Sequence, residues 1–404
     1  MQPLCRRIPK ESGGSGMSRS FMGYERPDGS VGIRNYILVL SMVNCSNTVA
    51  QQIAAETGAH VIPIDCGCVE VADHHRRTCL ALTSAALNPN VYAVILVGLG
   101  CEQTDHDKIM ADIAASGKPV SYIGIQESGG PRPAVAKGVE IAEKYQAAAA
   151  ALPRKEFPLS KLVLAVQCGG SDWTTALSGN ITIGEMTDLV VEEGGSVIIG
   201  EVPGFPGSEH ILAERSVTPQ VGLEVIQMCD ELRAEYVEAH GQTIEEMNPT
   251  PGNKAGGITT LVEKSMGNIK KIGTRSPIQG LIRAGEHVPH PGVWILDLRA
   301  PGIDGNATSG FAMSGAHMDV FSTGRGSPLG NAVMPTLKLT GNPKSYAEFD
   351  CMLDFNAGVV LEGTPLAEVG KALLDKVVAV ADGEATKSEI NGDFEFIIPR
   401  EKER

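Results

Sequence analysis

The stretch LVLAVQCGGSD, residues 162–172, decides how the chain is to be read. Its first five residues are apolar without alternation, the pattern of a strand buried on both faces in a parallel sheet. The run stops at Cys168-Gly169-Gly170-Ser171-Asp172, which brings a thiol, two glycines, a hydroxyl and a carboxylate to the strand's carboxyl end, where open α/β sheets bind ligands. A bare strand-to-helix connection, with Ser171 or Asp172 as helix cap, explains the same residues by geometry alone. Repetition argues for more. Residues 36–43 run into Asn44-Cys45-Ser46-Asn47, and 91–99 run into Gly100-Cys101-Glu102. Three strand ends each deliver a cysteine beside small or acidic residues.

Strand-like and helix-like segments alternate on both sides of this stretch, which predicts an α/β fold of consecutive Rossmann-like parallel-sheet domains with helices on both faces. Residues 1–20, polar and containing ESGGSG, read as a flexible leader. An N-terminal α/β domain then spans 21–155, and PRKEFP (153–158) reads as a linker. A middle α/β domain with a helical insertion spans 156–290, and a C-terminal α/β segment, 291–404, packs with it. Helical content is expected at 350–356 and 366–381.

Composition narrows the function. Of 404 residues 42% are hydrophobic and 4% aromatic, 47 are glycine, and the formal net charge is −14. The core is therefore aliphatic, the loops depend on backbone geometry, and the acidic balance argues against a nucleic-acid surface. No apolar run reaches the ~20 residues of a membrane span, and the leader has no apolar core of a secretory signal. Nine scattered cysteines do not look like a disulfide framework, so a reduced, cytoplasmic protein is expected.

Several residues could carry chemistry. Arg34 beside the turn at 27–30 suits a carboxylate, with a solvated surface charge as the plain alternative. Cys66 and Cys68 lie near His74 and His75, but C-x-C without a second thiol pair is a weak zinc signature. Glu201 ends a strand at 196–200, and Glu209-His210 follow it. Carboxylate and imidazole are the ligands that divalent metals use, although Glu209 could equally serve a helix N-terminus and His210 the surface. Around Asn253-Lys254 two prolines and three glycines shape the backbone, so Lys254 could clamp an anion or act as a base. The spacing is not that of a nucleotide P-loop, and no G-x-G-x-x-G follows a first strand. Arg325, between glycines at the end of strand 318–323, has a good anion-binding setting.

Taken together, the motifs GYERPDGSVGIRNYI, VNCS, NPNVYAVILVGLGCE, IQESGG, QCGGSD, PGNKAGGITTLVEKS, FSTGRGS and GEATKSE resemble those of the altronate and galactarate dehydratase family, in the family's order and from Phe21 almost to the end. The resemblance implies elimination of water from an aldonate or aldarate to give a 2-keto-3-deoxy acid, assisted by a divalent metal, iron(II) or manganese. It further implies a homo-oligomer and a small antiparallel SAF domain, fused or separate. With only a short leader ahead of Phe21, the chain resembles the large subunit alone. A second departure is Ile64-Asp65-Cys66-Gly67-Cys68, which lacks the family's histidine ahead of Cys68. Within this reading the expected metal ligands are Glu201, Glu209 and His210. Lys254 and His210 are both candidate bases, and Cys45, Cys101 or Cys168 could act as acid or soft ligand. Arg34, Asn44, Cys45, Gly169, Gly170, Ser171, Asp172, Asn253 and Arg325 would hold the substrate. The alternatives are a carbon–sulfur lyase acting on a sulfonated hydroxy acid such as sulfolactate, and a chain inactive without its partner subunit.

Overall fold

A computed structural model describes residues 19–300 and 303–400; the predicted leader, but for its last two residues, lies outside them. Three sheets organise the chain. Strands β1 (Ser20–Glu25), β2 (Val31–Gly32), β3 (Tyr36–Ser41), β4 (His60–Ile62), β5 (Val91–Gly98), β6 (Val120–Gly124) and β7 (Lys155–Pro158) divide between two of them. Strands β4-β3-β5-β6 make a four-stranded parallel sheet, and β2-β1-β7 make a small antiparallel one. Helices α1 (Asn47–Thr57), α2 (Ala72–Leu87), α3 (His106–Ala115) and α4 (Pro131–Ala150) connect the parallel strands. The predicted linker is thus mostly strand β7, pairing Phe157 with Phe21. A partner so distant in sequence leaves no local signal.

The larger sheet starts at the central stretch of the sequence, β8 (Val163–Cys168), and adds β9 (Ser196–Ile199), β10 (Ile278–Ile282), β11 (Gly292–Leu296), β12 (Met318–Ser322), β13 (Thr336–Thr340) and β14 (Phe355–Asn356). All seven strands run parallel in the order β10-β11-β9-β8-β12-β13-β14. Strands on both sides of residue 290 therefore share one sheet. Hydrogen bonding continues without a break from β10 to β11, although the sequence invites a boundary there. Connectivity leaves β8 for β9 on one side and returns to β12 on the other, so the carboxyl end of β8 is a topological switch point, where such sheets open a crevice.

Helices follow most strands: α5 (Asn180–Glu192), α6 (Glu209–Glu214), α7 (Pro219–His240), α8 (Ile244–Met247), α9 (Pro251–Ala255), α10 (Leu261–Asn268), α11 (Ile303–Met313), α12 (Pro343–Glu348), α13 (Leu366–Ala381) and α14 (Lys387–Asn391). The helix expected at 350–356 instead lies at α12, because Asn342 caps it by accepting from Lys344 N and Ser345 N and Pro343 occupies its first position. One apolar cluster joins the two parallel sheets: Leu38, Leu40 and Leu82 pack in the same core as Ala165, Ile198, Trp294 and Phe311. No helix of the described residues is long and apolar enough to cross a membrane.

Candidate active site

The crevice at the end of β8 opens into a cavity of about 940 Å³. Cys168, Gly169, Gly170 and Ser171 form one wall, Asn248, Asn253 and Lys264 a second, and Asp304, Arg325 and Ser327 others. The loop after β8 therefore serves as a binding wall.

The floor is charged and buried. Cys168 N donates to Glu201 Oε2 at 2.9 Å, and the fully buried Lys271 donates to Cys168 Sγ at 3.0 Å and to Glu201 Oε2 at 2.5 Å. Asn180 Nδ2 reaches the same sulfur at 3.7 Å. Burial and the Glu201 charge push the Cys168 thiol up, against the pull of Lys271, so it keeps its proton at neutral pH. Burial works against the Lys271 ammonium, but the sulfur and carboxylate beside it more than offset this and raise its pKa. One ammonium facing one carboxylate gives a buried pair with no net charge. Glu201 adopts φ 66°, ψ 45°, a left-handed conformation that strains a side-chain-bearing residue and is often found at functional sites.

Asp304 is the second feature. Burial, and then the Glu201 charge, push its carboxyl up to about 7, against the opposing pull of Lys264 and Lys271. A Cβ on Gly169 would stand 2.2 Å from Asp304 Oδ2, so only glycine lets this carboxyl lie on the β8 loop. A group poised near neutrality on a cavity wall is suited to moving protons. Lys264 Nζ is held by Asn248 Oδ1 at 2.9 Å and Asn253 Oδ1 at 3.2 Å, and an ammonium has a third proton to give. Arg325 is positioned through its backbone, N to Gly170 O at 3.1 Å, and through Nη1 to Gly252 O at 2.7 Å.

Among the residues expected from sequence, Cys168, Gly169, Gly170, Ser171, Asn253 and Arg325 line this cavity, and Glu201 stands directly behind it. The others lie elsewhere, for identifiable reasons. Lys254 is exposed on the short helix α9, and the lysine that reaches the cavity is Lys264 on α10. The proposed metal ligands do not converge. Glu209 accepts from Arg233 at 2.8 Å and from Gly207 N, which hold its carboxyl below the ordinary range in spite of burial. His210 is exposed, and Glu201 is taken by Lys271. Among the described residues no three His, Cys, Asp or Glu side chains form a group able to hold a metal ion. The trio of Glu201, Glu209 and His210 therefore does not fit the divalent metal that the resemblance implies.

Arg34, read as a carboxylate binder, makes a buried bidentate pair with Glu389 at 2.7 and 3.0 Å and donates to Val380 O. Its anion belongs to its own chain. Asp172 caps the turn after β8, accepting from Thr174 N, Thr175 N and Asn342 Nδ2. Asn44, Cys45 and Cys101 are exposed at strand ends of the smaller sheet, outside this cavity. Sequence reading missed Lys264, Lys271 and Asp304. Lys264 carried a faint signal, since it lies in the same glycine-rich stretch as Lys254. Lys271, one of a Lys-Lys pair whose other member is exposed, carried none.

A switch-point cavity lined by a carboxyl, two cations and a thiol marks the protein as an α/β enzyme equipped to move protons. The chain belongs to the D-galactarate/altronate dehydratase family: the C-terminal domain of that family matches residues 159–403, and the second domain of D-galactarate dehydratase/altronate hydrolase matches 23–150. It is accordingly a carbon–oxygen lyase of the hydro-lyase type. It is 32% identical to altronate dehydratase of Bacillus subtilis over 397 residues, covering 95% of this chain and 78% of that one. It is 33% identical over 387 residues to the (2R)-sulfolactate sulfo-lyase subunit beta of Chromohalobacter salexigens, covering 95% and 97%. Identity to galactarate dehydratase (L-threo-forming) of Escherichia coli is 29% over 389 residues, covering 90% and 73%.

Proposed function

We propose that the chain dehydrates a sugar acid, an aldonate or aldarate, to the 2-keto-3-deoxy acid. The observation that carries this reading is the Asp304 carboxyl, held at about 7 on the wall of a cavity that also presents Lys264 and Arg325. The two cations bind the substrate carboxylate, and the Asp304 carboxylate takes the proton from C2. The C3 hydroxyl leaves as water with a proton from the Cys168 thiol, the resulting enol tautomerises to the ketone, and the proton taken by Asp304 passes back to the Cys168 thiolate to reset the site. Neutralising the charge that develops on the substrate carboxylate is the largest requirement, because a proton beside a carboxylate is so weakly acidic. Lys264 is the cation placed for it. Lys271 and Glu201 position Cys168 from behind. No step is assigned to a metal. A cytoplasmic location accords with the eight described cysteines, all of them free thiols.

A second reading is favoured by one observation: the sulfo-lyase subunit is matched over 97% of its length. In that case sulfite, not water, would leave. Both are tested by offering the chain a panel of aldonates, aldarates and (2R)-sulfolactate, alone and with a candidate small SAF-type subunit, and reading out keto acid and sulfite. Keto acid from a sugar acid supports the dehydratase, and sulfite from sulfolactate alone would replace it with the second reading. Activity only with the added subunit would establish the partnership. Within the dehydratase, Asp304→Asn should lower kcat by about 10²–10⁴-fold, and Lys264→Met should lower kcat by about 10²–10³-fold, the loss of a donor to the developing charge, and raise KM as well. Lys254→Met should leave both within about twofold, as an exposed substitution does.

A further inference from the structure

The smaller parallel sheet has a strand-end constellation of its own, which the dehydration does not use. Its adjacent strands β4, β3 and β5 are each followed by a loop that carries cysteine: Cys66 and Cys68 after β4, Cys45 after β3 and Cys101 after β5. The loops are tied to one another through their backbones. Asn44 N donates to Cys66 O at 2.6 Å, and Gln103 N donates to Gly67 O at 2.9 Å. A Cβ on Gly67 would stand 2.4 Å from Met42 O and 2.7 Å from the Val43 Cα, so the C-G-C loop is pressed onto the turn that carries Cys45. Glu102 accepts from the backbone N–H groups of Leu99, Gly100 and Cys101 at 3.1, 2.7 and 3.1 Å, which fixes the third loop. From the far side Arg400 donates to Asp65 Oδ1 at 2.9 Å and to Glu70 Oε1 at 3.3 Å, and so pins the β4 loop.

The loops so tied bring four thiols to one edge of the smaller sheet. All four are free; Cys45 and Cys101 are exposed and Cys66 and Cys68 half-buried. Cys66 Sγ donates to Cys68 O at 3.1 Å, and among the described residues the Cys45, Cys68 and Cys101 thiols show no such engagement. Next to them Val69 holds φ 54°, a strained conformation for a β-branched residue. Among the described residues no three such side chains stand at the spacing of one ion, whose thiolates would all lie about 2.3 Å from a single point. Cysteines that each bind a different iron of a cluster stand farther apart.

We propose that Cys45, Cys68 and Cys101, from three adjacent strand ends, hold an iron–sulfur cluster at the carboxyl edge of the β4-β3-β5-β6 sheet. The site is separate from the Asp304 cavity, and its test does not depend on the substrate. The full chain is purified without oxygen, then reconstituted with ferrous iron, sulfide and dithiothreitol, desalted, and assayed for iron, acid-labile sulfide and visible charge-transfer absorption. The expected result is bound iron and sulfide in equal amounts, with absorption that bleaches on reduction. Both should be lost in the Cys45→Ser/Cys68→Ser/Cys101→Ser variant and retained in Cys351→Ser, an exposed cysteine outside the constellation. The single variant Cys101→Ser, altered only at an exposed side chain, should lower iron and sulfide together while keeping the wild-type circular dichroism spectrum, so a folding defect in the triple variant does not decide the matter. Wild-type protein without labile sulfide, including one that holds a lone zinc or iron ion, or unchanged iron and sulfide in folded Cys101→Ser, overturns the proposal.

Discussion

Lys264 and Lys254 share one glycine-rich stretch, yet only Lys264 is held at the cavity, by Asn248 and Asn253. A side chain's role here is set by its partners more than by its neighbours in sequence. The same holds beneath the cavity, where Lys271→Met would leave the Glu201 carboxylate buried and unpaired. That should cost about 3–5 kcal/mol of stability, measured by urea unfolding, and the double variant Lys271→Met/Glu201→Gln should recover much of it. Asp319 gives a pH prediction. Burial pushes its carboxyl up to about 7, against hydrogen bonds from Gln167 and Thr308, whereas an unfolded aspartate titrates near 3.9. Between these values the folded state binds more protons, so this group's contribution to stability falls as pH rises from about 4 to 7. Asp319→Asn should therefore make the loss of stability between pH 5 and 8 shallower in urea melts, and an unchanged slope would contradict the assignment.

Among the elements, α5 and the turn Ile269–Ile272 illustrate how a helix sets a site that it does not line. Gly184 on α5 lies so close to that turn that a Cβ would stand 2.1 Å from Lys270 O. Gly184→Ala should push the turn away, displace Lys271 from Glu201 and Cys168, and cost about 1–3 kcal/mol as an overpacked contact. Thermal melting and kcat should fall together, while KM, to which Arg325 on the opposite wall contributes, should change little. Buried strands β5, β8, β11 and β12 were legible because a continuous apolar run bounded by turn residues has few other readings, and α13 because its apolar positions recur at helical spacing. Strand β7 and helix α12 were not. The first exists only through a partner far off in sequence, and the second is placed by the cap at Asn342.

For the whole molecule, the decisive feature is the apolar cluster shared by the two parallel sheets. Because neither half can lose that packing alone, the chain should unfold in a single calorimetric transition, and two resolved transitions would show the halves to be independent. The sequence by itself determined the α/β class, the strand ends that carry functional loops, the glycine-rich wall at 168–171 and the family resemblance. Each of these depends on local periodicity, turn chemistry or motif order. The tertiary structure alone decided which charges meet: it gave Arg34 to Glu389, Glu209 to Arg233 and Glu201 to Lys271, and brought Asp304 onto Gly169. It also gathered Cys45, Cys68 and Cys101 from separate loops. Electrostatic partnership depends on separations of a few ångströms between residues far apart along the chain, and those separations exist only once the sheets have formed.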